Sequence, residues 1–186
     1  MKGKSWLISV GITVSLAVLA TGVAISAQDK YTVKVPGGLA LSEGKGYESW
    51  QTISISHNGP MLAVIVGNPQ MIAAYKSGIP GNGKPFPDGA KMAKIHWHEK
   101  KAETEPGQPM VAGGLANVDL MVKDSKRFAD SGGWGYGAFE YEAASDSFRP
   151  GGLSDKPPQG NDAKCGAACH TAAKAKDFVF TDYAPR

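Results

Sequence analysis

Two stretches of this chain place apolar residues at every second position, and that period decides the fold class. In "AKMAKIHWHEK" (90–100), Ala93, Ile95 and Trp97 share one face while Met92, Lys94 and His96 share the other. In "LANVDLMV" (115–122), Ala116, Val118, Leu120 and Val122 form the apolar face. Successive side chains of an extended strand point to opposite sides, so a period of two reads as a half-buried strand. "YTVKV" (31–35) alternates likewise, and "MLAVIVGN" (61–68) is an apolar run rich in β-branched residues, a buried strand. "GYESWQTISIS" (46–56) begins as a helical turn and then extends. "WGYGAFEYEA" (134–143) is an aromatic strand whose Gly135 and Gly137 admit close backbone approach.

Helices are short. "PQMIAAYKSG" (69–78) has Pro69 suited to a first turn and Gly78 to a stop. "KDSKRFADSG" (123–132) predicts another, with Asp124 or Ser125 as N-cap. A last helix is expected around "CGAACHTAAKAKD" (165–177), beyond a linker, "RPGGLSDKPPQGND" (149–162), whose Pro and Gly content excludes helix and central strand. No regular long helices separate the strands, which argues against parallel winding. The expected class is α+β: a mainly antiparallel sheet of about five strands with short helices.

The N-terminus stands apart from this domain. Lys2 and Lys4 precede an uncharged apolar run, Trp6 to Ala24, and small residues follow. This is the layout of a secretory signal peptide, residues 1–27, with cleavage expected after Ala27 or after Ala24. The run approaches membrane-spanning length, so an uncleaved anchor is the alternative. Either way residues 28–186 form one exported domain, and a periplasmic location is expected. Of the net charge of +3, two positives are Lys2 and Lys4. No Lys/Arg-rich run follows, which argues against a nucleic-acid partner.

The chain has only two cysteines, and they flank "GAA" next to a histidine: Cys165, Cys169, His170. Haem c is attached by thioethers from two cysteines, and the histidine that follows ligates the iron. C-x-x-C-H is the usual spacing; here it is C-x-x-x-C-H. The intervening small residues let backbone pass close to a porphyrin, and Gly166 can take a conformation that absorbs the insertion. A zinc site drawing on His57, His96 or His98 is a competing reading. A disulfide is another, weakened because so small a loop adds little stability. The expected cofactor is one covalent haem c held by Cys165 and Cys169 on the C-terminal helix, with His170 as proximal ligand.

"VKDSKRFADSGGWGYGAFEY", "NPQMIAAYKSGIPGNGKPFPDGAKMAKIHW" and "CGAACHTAAKAKDFVFTDY" together resemble the cytochrome P-460 and cytochrome c′-beta family, over roughly Tyr31 to Tyr183. The resemblance implies a periplasmic monohaem cytochrome built on a β-sheet, a homodimer, with a distal side open to small ligands. P-460 members oxidise hydroxylamine and carry a lysine cross-link to the haem macrocycle; the matching residue is Lys94. Its other reading is a solvent-facing lysine on a strand. Two departures stand against oxidation. The family's distal arginine is matched by Ala63, and its proton-accepting carboxylate has only Asp162 and Glu140 as candidates. An apolar pocket favours nitric oxide, as in the c′-beta branch. Met92, Met121 or His96 could instead fill the sixth iron position and tune the haem toward electron transfer with a partner cytochrome. Phe86 is a candidate for the distal wall and equally for the core.

Other signals are weaker. "GIPGNGKP" (78–85) nearly matches a phosphate-binding loop, but Pro85 stands where a hydroxyl belongs, so it reads as a turn. "SHNGP" (56–60) also reads as a turn, Trp50, Trp97 and Trp134 as core residues, and "HWH" (96–98) as surface or pocket-lining histidines. The expected function is an exported c-type cytochrome handling small nitrogen species, by binding nitric oxide or by redox and electron transfer. The alternative is an oxidoreductase that oxidises hydroxylamine or nitric oxide, with Lys94 bound to the haem.

Overall fold

The computed structural model describes residues 29–35, 38–151 and 161–185, with backbone alone for 161–165. The expected signal segment lies outside the described residues. Six strands form one antiparallel sheet in chain order: β1 (Gln51–Asn58), β2 (Met61–Gly67), β3 (Lys91–Lys101), β4 (Met110–Lys123), β5 (Trp134–Glu142) and β6 (Ser147–Pro150). The class is α+β, as the alternating stretches require, with one strand more than expected. That strand, β6, is four residues long and opens the stretch read as a linker. Pro150 is tolerated there because β6 is an edge and the missing N–H faces no partner strand.

Two local expectations are corrected. Residues 31–35 do not join the sheet. Lys30–Thr32 is a 3-10 turn capped by Asp29, and the remainder makes a tight hairpin in which Val35 N–H donates to Leu39 C=O at 2.8 Å and Leu41 N–H to Val33 C=O at 2.8 Å. The alternation buries Val35 within this small hairpin rather than along a sheet strand. Of residues 123–132, Lys123 ends β4 and the rest form turns and one 3-10 turn, Ala129–Ser131, in place of an α-helix. The Asp124 carboxylate accepts from the N–H groups of Lys126 (3.1 Å) and Arg127 (3.0 Å), satisfying them without helix continuation.

Elsewhere local chemistry and structure agree. Helix α1 (Pro69–Lys76) starts where Asn68 Oδ1 accepts from Met71 N–H at 2.9 Å, and the same oxygen accepts from Lys91 N–H at 3.1 Å, tying the helix start to β3. It gives way to turns through residues 77–83, with Gly78 at φ +90°. Of the 56–60 stretch read as a turn, Ser56, His57 and Asn58 belong to β1, and the β1–β2 turn is Gly59 and Pro60, with Gly59 at φ +57°. Helix α2 (Asn161–His170) runs into a 3-10 segment, Thr171–Lys176.

The sheet has two different faces. Ala93, Ile95, Val118, Leu120, Val122 and Phe139 pack against Val35, Leu39, Leu41 and Tyr47 of the N-terminal segment. Each such side chain withdrawn from water contributes roughly 1.5–3 kcal/mol before entropy is counted. On the other face Met92, Trp134 and Tyr136 pack with Met71, Ile72 and Tyr75 of α1, with Phe86, and with Val179 of the C-terminal segment. Trp134 is fully buried, while Trp50 and Trp97 are partly buried against the first cluster.

Candidate haem site

Helix α2 lies along β5, and Gly166 is what lets it come so close. A Cβ on Gly166 would stand 3.1 Å from the Cβ, Cγ and Cδ1 atoms of Tyr136. Gly166 sits inside the helix and is not among the glycines with positive φ. Its value here is therefore small size rather than the unusual conformation expected from the Cys spacing.

His170 is the last residue of α2. Its Nδ1–H donates to the Phe178 carbonyl at 2.6 Å, an assignment that follows from the acceptor being a carbonyl oxygen. Its ring lies between Tyr136 (centroids 5.1 Å apart) and Phe180 (4.9 Å). Burial pushes the imidazole below its usual pKa; the bond to Phe178 opposes this, and the Lys94 charge adds to it. The ring is neutral at pH 7 with Nδ1 protonated, so Nε2 carries the lone pair. That is the state an imidazole needs to ligate iron, with its second nitrogen held by a carbonyl.

His170 lines a cavity of about 320 Å³ together with Gly166 of α2, with Val179, Phe180 and Thr181 of the C-terminal segment, and with Tyr136 of β5. The sheet contributes Ile65, Met92, Lys94, Asp119, Met121 and Ala138. Register explains the set. Ile65 pairs with Lys94, Lys94 with Asp119, and Met92 with Met121, so these side chains share the face opposite the Ala93–Ile95 cluster. The ambiguity about Lys94 is thereby resolved in position: its face carries the cavity that His170 lines.

Of the residues singled out in the sequence, Lys94, Met92, Met121 and His170 meet in this cavity. Ala63 is buried and pairs with His96 across β2–β3, and neither lines the cavity. Phe86 is a core residue, edge-on to Tyr75 at 5.1 Å and to Trp134 at 6.0 Å. Cys169 is a free, exposed thiol. The side chains of Cys165 and Asp162 fall outside the described residues. Glu140 pairs with Arg149 and lines a second, open cavity of about 530 Å³ instead of the first. Among the described residues no group of three or more His, Cys, Asp or Glu side chains is placed to hold a metal ion.

Among the cavity residues that the sequence does not single out, Asp119 is the charged one. Asp119 accepts from Asn117 Nδ2 at 2.8 Å, and one of its oxygens lies 3.5 Å from His96 Nδ1. His96 is pushed down to about 4, first by burial and then by the Lys94 charge. It is neutral at pH 7, so this contact is not an ion pair. Alternation had placed Asp119 on the polar side of its strand, but nothing local distinguishes a cavity-facing carboxylate from a solvated one.

The family model for cytochrome P460 matches residues 44–181. The chain belongs to the cytochrome P460 family. It is accordingly a haem-binding cytochrome, and none of the curated proteins matches it. The site fits the cofactor. A neutral histidine with Nδ1 engaged stands at a largely apolar cavity that also carries Lys94 and Asp119, and Gly166 of α2 lets the helix lie close to the sheet. His170 would supply the iron ligand, and haem would supply the redox chemistry of a cytochrome when bound. The matched range spans β1 to the end of the cavity wall at Thr181, so it includes both sides of the site.

Proposed function

We propose that the chain is an exported c-type cytochrome with one haem, joined covalently through Cys165 and Cys169 and ligated by His170, that handles small nitrogen species. The observation that carries this reading is the His170 Nδ1 donation to Phe178 at a cavity lined by Met92, Met121 and Ile65. Apolar walls favour a neutral diatomic such as nitric oxide over a charged ligand, because a charge taken out of water needs a partner. Met92 or Met121, both on the cavity face, could fill the sixth iron position and tune the haem toward electron transfer, with a partner cytochrome as donor or acceptor. The N-terminal segment supports export to the periplasm. Edge strand β1, with no Lys, Arg, Asp or Glu and with Ile55 74 % exposed, supports a homodimer.

A second reading has its own observation. Lys94 lies in the His170 cavity, opposite Asp119 in register. An enzyme oxidising hydroxylamine or nitric oxide would have Lys94 bonded to the macrocycle and Asp119 available to accept a proton. An optical spectrum of the purified protein in alkaline pyridine after reduction separates the two. An ordinary haem c spectrum, unchanged in Lys94→Ala, supports binding or electron transfer. A displaced band that Lys94→Ala restores to the ordinary position supports the enzyme. Absence of haem from protein made in a host able to attach it would overturn both.

A further inference from the structure

The "KDSKRF" and "GGW" stretches contain no cavity residue, yet they converge on one point beside the haem site. Lys123, at the end of β4, is 5 % exposed. Its Nζ donates to both carboxylate oxygens of Asp177, at 2.8 and 2.9 Å, and to the Gly132 carbonyl at 2.9 Å. Trp134 Nε1–H donates to the Asp177 carbonyl at 2.8 Å, and Phe86 N–H to its carboxylate at 2.8 Å. Asp177 thus has its side chain and its backbone carbonyl all held from the sheet side.

The held segment is strained. Asp177 and Phe178 are consecutive non-glycine residues with positive φ, +50° and +64°. Such conformations persist only where the surroundings enforce them. Gly132, itself at φ +69°, leaves the space that the Phe178 ring occupies, and a Cβ there would overlap that ring. The product of this turn is the Phe178 carbonyl aimed at His170 Nδ1–H.

We propose that the buried Lys123–Asp177 pair is a positioning device that fixes the Phe178 carbonyl against His170 and so tunes the iron's proximal ligand. The proposal rests on the reading of His170 as that ligand. A carbonyl held at this nitrogen increases imidazole basicity and stabilises oxidised iron. Releasing the turn weakens the bond to Phe178, lowers electron donation by His170 and raises the reduction potential.

The test uses purified, haem-loaded full-length protein. Resonance Raman of the ferrous form reads the iron–histidine stretch, and a redox titration reads the potential. In Asp177→Asn and Lys123→Met the stretch is expected at lower frequency and the potential higher than in the parent, while exposed Lys100→Met changes neither. Variants that load haem and keep both readouts at the parent values overturn the device while leaving His170 as ligand. No iron–histidine band in the parent, together with a spectrum unaffected by His170→Ala, overturns the underlying ligand reading and the device with it. Should neither variant load haem, Trp134→Phe, which removes the donor to the Asp177 carbonyl, gives the same two readouts and the same decision.

Discussion

The two faces of one sheet differ in what their alternate residues do. On one face Ala93, Val118, Leu120 and Phe139 are at most 1 % exposed and close against the N-terminal segment. On the other, the neighbouring positions along the same strands are Met92, Lys94, Asp119 and Met121, and they border a cavity. Period-two alternation fixes both at once, because a strand cannot change the face it shows the core without changing the face it shows the cavity. The packed face holds the register, and the register assembles the site.

That division can be broken deliberately. The largest loss of stability is expected where a packed or paired group is removed. Phe139→Ala should cost about 3–5 kcal/mol by cavity formation, and Lys123→Ala a similar ~3–5 kcal/mol by stranding the Asp177 carboxylate; chemical denaturation measures both. Gly132→Ala comes next, at more than about 1 kcal/mol, because its φ is +69° and the Phe178 ring fills the space. Met121→Leu, on the cavity face, should change stability by less than about 1.5 kcal/mol while altering ligand affinity, measured by nitric oxide titration. A Met121→Leu loss as large as that of Phe139→Ala would erase the distinction between the faces.

A smaller effect concerns pH. His96 is held near 4 in the folded chain against 6.5 as a free group. The unfolded chain therefore binds more protons between those values, and stability falls as pH drops from about 6.5 to about 4, then levels. His96→Gln should flatten that slope in denaturation curves taken across the window.

Long alternating strands were legible because their signal is local and repeated: β3 and β4 emerge from period alone. Helix α1 was legible from Pro69 and Gly78, while its cap, Asn68, emerged only in the structure. Short β6 was not, since "SFRP" has too few residues for a period and ends at a proline. "YTVKV" misled because the same alternation serves a two-armed hairpin. The cysteine–histidine spacing singled out His170, which lines the cavity, whereas Asp119 required register. The Lys123–Asp177 pair links residues 54 apart, a separation that no local pattern spans.

The central claim, a haem held covalently beside His170, is tested most directly by the intact mass of the purified protein under denaturing conditions. The account predicts the mass of the polypeptide plus one haem, reduced to polypeptide alone when Cys165 and Cys169 are both replaced by serine. Polypeptide mass alone for the parent, made in a host that matures c-type cytochromes, would contradict it.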